Sequence, residues 1–95
     1  MTEQEIKQVL KKINWDTPHT VDELYSVFTG KVQQVGSIDK DWLYTRILNG
    51  NRWYKVLEIY SDEELKEALS KKNINNLFPR VLREKYEHIR NFLYH

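Results

Sequence analysis

An all-α fold, a single compact bundle of five to six short helices over residues 1–95, is what this sequence predicts, and three observations carry that expectation. The pattern hydroxyl-x-x-Glu occurs three times ahead of an apolar stripe, from Thr2 to Glu5, Thr20 to Glu23 and Ser61 to Glu64. In each, the hydroxyl is placed to accept from the backbone N–H three residues on while the glutamate reaches back to the cap's own N–H, so donors that a helix leaves unpaired are satisfied. Apolar residues then recur at the 3.6-residue period along most of the chain. Finally, 95 residues suit one domain, which at this size buries roughly two-thirds of the surface its unfolded form exposes.

The first helix is expected from about Glu3 to Ile13, with Ile6, Val9, Leu10 and Ile13 on one face and Glu3, Lys7, Lys11 and Lys12 on the other. Pro18 disfavours helical geometry at Thr17 and donates no backbone bond, which makes residues 14–19 a connecting loop. Helix two follows Thr20, carries Val21, Leu24, Tyr25 and Phe28 inward, and stops at Gly30, a residue suited to the left-handed C′ conformation. Residues 31–38 read as a loop, because a short strand there has no convincing partner elsewhere and an isolated strand leaves its backbone unpaired. Helix three, about Asp39 to Leu48, offers Leu43, Tyr44, Ile47 and Leu48 to the interior before Asn49-Gly50-Asn51 stops it.

Helix four, about Arg52 to Tyr60, carries Trp53, Val56, Leu57 and Tyr60 on its apolar stripe. Tyr60 at N′ and Leu65 at N4 of the helix capped by Ser61 have the spacing of a hydrophobic staple. Helix five is expected to end near Lys71-Lys72, cations that suit the negative end of its dipole, followed by a polar turn at residues 73–76. Pro79 stands in the first turn of a last helix that runs to about Tyr94, its inward stripe Leu82, Tyr86, Ile89 and Leu93, flanked by Val81 and Phe92. Residues 20–31 and 61–72 resemble each other at an offset of 41. Two capped amphipathic helices converge on such a pattern, and two units are too few for a solenoid, which needs roughly three.

Composition excludes several function classes. Cysteine is absent, so disulfides, thiolate chemistry and the common Cys-based zinc sites are excluded, in keeping with a reducing cytoplasm as the expected location. The longest apolar runs are three residues, Trp42–Tyr44 and Phe92–Tyr94, and predict neither a membrane span nor a secretory signal. Charge is uneven: residues 1–70 hold 9 Lys+Arg against 12 Asp+Glu, whereas residues 71–95 hold 6 against 2. A basic end of this kind suits an anionic partner or the acidic remainder of the same chain.

No catalytic constellation appears, and no enzyme activity or cofactor is expected. His19 falls in a loop, His95 is terminal, and His88 is within i+4 reach of Glu84, the setting of a surface ion pair. No His-x-x-x-His spacing or Gly-x-x-x-x-Gly-Lys phosphate loop is found. Candidate partner-binding residues are Trp42 and Tyr54, rings off or beside the inward stripes, with Arg52 and Lys55, since exposed aromatics and cations are what protein interfaces select. The alternative is a nucleic-acid surface on the last helix made by Arg80, Arg83, Lys85 and Arg90. Against it stand Glu84 and Glu87, which meet Arg80, Arg83 and Arg90 at i+3 or i+4 and predict an internally paired face. The same helix's broad apolar stripe suits burial against the domain or against a second copy of the chain.

Trp15-Asp16 after a short first helix, Arg46-Ile47-Leu48 followed by Arg52-Trp53, and Leu77-Phe78-Pro79-Arg80 through Tyr86 together resemble small uncharacterised bacterial all-helical proteins. Some of those resemble components encoded beside nucleotidyltransferase-type toxins. The likeness spans about residues 15–90 and implies a bacterial cytoplasmic accessory or regulatory protein with no assigned reaction. Read together, the residues predict a non-catalytic protein-interaction module, with a small nucleic-acid-binding regulator as the alternative.

Overall fold

Each of the three capping boxes forms, and each starts a helix where the sequence places it. The computed structural model describes residues 1–94, which make seven helices and one short hairpin. In α1 (Glu3–Ile13) and α2 (Val21–Phe28), Thr2 and Thr20 accept from the N–H of Glu5 and Glu23, and the two carboxylates accept from the caps' own N–H groups. Those bonds hold both glutamate carboxyls below their ordinary range. The two helices pack together through Val9, Leu10, Ile13, Leu24 and Val27. At the surface Lys7 links them, 3.3 Å from Glu3 and 3.0 Å from Asp22. Gly30 ends α2 at φ 81°, its N–H donating to Val27 O.

Residues 31–38 are not wholly irregular. β1 (Gln34–Val35) pairs antiparallel with β2 (Ile38–Asp39) in the register Gln34↔Asp39 and Val35↔Ile38. The strand partner missing from the rest of the chain lies within this segment itself. Gly36 has φ 60° and Ser37 does not have a positive φ, the arrangement of a two-residue II′ turn with glycine first. A Cβ on Gly36 would stand 2.8 Å from His19 Nε2, so a side chain there would be strained by the positive φ and would have to displace the imidazole as well. The hairpin also buries Ile38 and delivers Asp39 as the N-cap of α3 (Lys40–Gly50), where Oδ1 accepts from Trp42 N at 2.8 Å.

α3 is the central element. Leu43, Tyr44, Ile47 and Leu48 are all buried, and the helix meets α1, α2 and the hairpin on one side and α4 (Trp53–Ile59), α5 (Asp62–Ala68) and α6 (Lys71–Asn75) on the other. The staple closes as expected, with Tyr60 and Leu65 both buried. Its ring stacks on Phe28 at 5.8 Å and meets Tyr44 edge-on at 5.3 Å, tying the α4–α5 corner to α2 and α3. The stripe of α4 differs from the expected one: Ile59 is buried in place of Leu57, which is largely exposed, and Trp53 is half-buried, its ring edge-on to Tyr86. Val56 and Ile59, at i and i+3, and Tyr60 share one helical face, so the buried stripe is rotated away from Leu57 toward Ile59.

Helix five ends earlier than expected. Ser70 caps again, accepting from Asn73 N, so residues 71–75 are helical and the apparent polar turn is α6, with Asn73 and Ile74 buried. Asn73 Nδ2 donates to Glu67 O, serving a carbonyl at the end of α5. Pro79 is the N-cap of α7 (Arg80–Leu93), one position before the expected first turn. The Cα radius of gyration is 12.8 Å, close to the ~12 Å of a compact chain of this length. Among the described residues no helix is long and apolar enough to cross a membrane.

Candidate functional site

The loop after α1 is pinned to α3 by one arginine. Arg46, in the middle of α3, holds Asp16 with both terminal nitrogens, Nη1 to Oδ1 at 2.9 Å and Nη2 to Oδ2 at 2.7 Å, and Nη1 also donates to Ile13 O. This fork-to-fork geometry is the strong form of the ion pair. Hydrogen bonding to Arg46 holds the Asp16 carboxyl below its ordinary range. The guanidinium also lies 4.5 Å from the ring centroid of Trp42 and 5.6 Å from that of Trp15, so a cation stands against two indoles. Asn14 steadies the loop from inside by donating to His19 O and accepting from Thr17 Oγ1. Asp16 and Arg46 are 30 residues apart, which is why periodicity gave no sign of the pair.

Beside this cluster is a groove of about 390 Å³. Trp15 and Phe78 line it with side chains 79% and 80% exposed, and Ile13 and Gly50 contribute apolar surface. Its polar lining comes from Lys12, Arg46 and the amides of Asn49 and Asn51. Asn49 Oδ1 accepts from Phe78 N, and Asn51 Nδ2 donates to Ile47 O. Three chain segments therefore meet here: the end of α1, the α3–α4 junction, and the entry into α7.

α7, which follows Phe78, carries further exposed apolar residues. Only Tyr86 of this helix is buried, its hydroxyl directed at Leu48 O and its pKa raised by burial. Leu82 and Ile89 are half-buried, Leu93 is exposed, and Val81 and Phe92 are 73% and 79% exposed, so the expected burial of this stripe is incomplete. α6 accounts for one side of α7, because Lys71, Ile74 and Asn75 line a cleft with Glu87, Arg90 and Asn91. At 100° per residue, Val81, Lys85 and Phe92 lie on the opposite edge.

The residues expected to bind a partner lie on α3 and at the start of α4 and differ in exposure. Trp42 is half-buried beneath Arg46, Arg52 is the exposed N-cap of α4, Tyr54 is exposed, and Lys55 stands 4.0 Å from Glu58. The basic residues of α7 are divided too. Arg80 pairs with Glu84 at 3.2 Å, but among the described residues Arg83 and Arg90 make no ion pair with Glu87, and His88 makes none with Glu84. The expected pairing is therefore only partly formed. Arg83 and Arg90 are half-buried on the side turned to the domain, and Lys85 is the exposed cation of the outer edge, its Nζ 5.7 Å from the Tyr86 ring centroid. His95 lies outside the described residues.

What sequence reasoning missed is Trp15 and Phe78 as a pair. Trp15 follows the last apolar position of α1 and Phe78 precedes a helix-starting proline, so each was legible as a loop aromatic, but only the fold sets them on one groove. Compared with protein-family models, curated proteins and solved structures, the chain finds no match.

Proposed function

We propose that this protein is a non-catalytic protein-interaction module of accessory or regulatory type, acting in the bacterial cytoplasm as the resemblance implies. One observation carries the reading: Trp15, Phe78, Val81 and Phe92, four large apolar side chains, are nearly fully exposed along the groove and the outer edge of α7. Single exposed apolar residues are ordinary, whereas a small domain that leaves four large ones exposed, three of them aromatic, offers anchors of the kind protein interfaces select. The alternative, nucleic-acid binding through Arg80, Arg83, Lys85 and Arg90, is weaker because two of those cations turn toward the domain and a third is paired.

The test is affinity capture from the source cell with the wild type and with the double variant Val81→Ser/Phe92→Ser, alongside titration with duplex DNA. A protein retained by the wild type and lost by the variant, a second copy of the chain included, is the expected result. Submicromolar duplex binding in physiological salt, abolished without unfolding by Arg80→Gln/Arg83→Gln/Arg90→Gln together, would overturn the reading.

A further inference from the structure

One line along α7 is exposed from end to end. Val81, Lys85, His88 and Phe92 follow one another in steps of four, three and four, and at 100° per residue they lie within about 60° of each other around the helix. All four are exposed, Val81 and Phe92 by 73% and 79%. Alternating steps of four and three are the spacing at which one helix keeps a single seam against another. Leu82 and Ile89, which the domain covers only in part, flank this seam on the side nearer Tyr86.

The seam is complementary to itself in one orientation. When two copies of α7 lie antiparallel with Val81 level with Phe92 of the second copy, two-fold symmetry sets Phe92 level with the second copy's Val81 and Lys85 level with its His88. Each ring then meets an aliphatic side chain, and Leu82 comes within one turn of the second copy's Ile89. In the middle, a neutral imidazole nitrogen can accept from an ammonium. A parallel pair would instead set Lys85 against Lys85, and a slip of one heptad would put Val81 against Lys85 or Phe92 against His88, so the polar middle fixes both direction and register. A partner with an unbroken apolar stripe would bury the Lys85 and His88 heads against hydrocarbon, at a cost that the second copy avoids.

We infer that this stripe of α7 is a docking surface for a second copy of the chain, packed as an antiparallel two-fold pair with Val81 on Phe92 at both ends and Lys85 on His88 between them. This rests on the interaction-module reading and names its partner. The seam is about 17 Å long, too short to reach the roughly 1,200 Å² of a stable interface. The pair is therefore transient, and at low micromolar concentration the chain is a monomer with this stripe bare.

Sedimentation equilibrium from about 5 µM to about 1 mM tests the pairing by mass action. The weight-average mass is expected to rise from one chain toward two across that range. Val81→Ser and Phe92→Ser, at unchanged melting temperature in dilute solution, should each weaken association about tenfold or more, because a two-fold interface uses each residue twice. The chain has no cysteine, so single-cysteine variants report the orientation. Position 84 and position 91 lie on the other flank of the seam, and antiparallel pairing brings each within one turn of the other across the interface. Under mild oxidation at high concentration, Glu84→Cys and Asn91→Cys chains should link to each other faster than Asn91→Cys chains link among themselves. A monomer throughout the range, association indifferent to both serine variants, or faster self-linking of the Asn91→Cys variant would overturn the inference. If the chain stays monomeric but a captured protein is lost with Val81→Ser/Phe92→Ser, the second-copy assignment falls and the interaction-module reading stands.

Discussion

α3 and α7 are both amphipathic helices, and they spend their apolar residues in opposite ways. In α7 apolar and polar residues segregate more cleanly around the helix, yet of its 14 residues only Tyr86 is buried, whereas α3 buries four of 11. The difference is one of neighbours. α3 is met by α1, α2, the hairpin, α4, α5 and α6, so an apolar side chain finds a partner in most directions. α7 rests mainly on α6 and inserts one ring against α4 and the end of α3. Amphipathicity therefore states which face can be buried, while the number of packed neighbours states whether it is.

The largest expected effects should expose that contrast directly. Ile47→Ala in α3 should cost about 2–5 kcal/mol and Tyr86→Ala about 3–5 kcal/mol, because each removes a fully buried side chain. Val81→Ala and Phe92→Ala on the outer edge of α7 should stay within about 0.5 kcal/mol. Urea unfolding of the four variants measures this. Losses at Val81 and Phe92 as large as at Tyr86 would mean that α7 is covered in the isolated protein, for instance by a second copy, and the comparison would collapse.

A smaller effect compares two caps. Ser61 both accepts from Glu64 N and is answered by the Glu64 carboxylate, whereas Ser70 makes one long bond of 3.4 Å to Asn73 N. Ser61→Ala should cost about 1 kcal/mol with Ser61→Asp nearly neutral, and Ser70→Ala should cost less, about 0.5 kcal/mol. Thermal unfolding gives the order. A larger loss at Ser70 would show that α6, with its buried Asn73 and Ile74, is the more demanding helix start.

The smallest effect concerns the Asp16–Arg46 tie that holds the α1–α2 loop to α3. Because the hydrogen bonds to Arg46 lower the folded-state pKa of Asp16, its contribution is complete above the unfolded-state value of about 3.9 and is lost as pH falls through the lower folded value. The melting temperature of the wild type should exceed that of Asp16→Asn by a constant margin near neutrality, and the margin should close only in acid below about pH 4. A margin that vanishes between pH 6 and pH 8 would assign the effect to another group.

Local chemistry in this chain was legible wherever a signal and its response lie within a few residues. The three boxes at Thr2, Thr20 and Ser61, the staple of Tyr60 and Leu65, the stop at Gly30 and the inward set of α3 all follow from sequence spacing, because capping and periodicity act over one or two turns. The Gly36-Ser37 turn and the Ser70 cap were equally local. They went unread because the hairpin is only two residues deep on each side and the Ser70 helix has five residues, too few for a period to declare itself. Other features have no local cause: Ile59 buried instead of Leu57, α7 left half-covered, Asp16 gripped by Arg46, and Trp15 brought to the same groove as Phe78. Each depends on which elements happen to be neighbours across tens of residues, and that is a property of the packed chain, since a side chain's spacing fixes its direction but not what stands there to meet it.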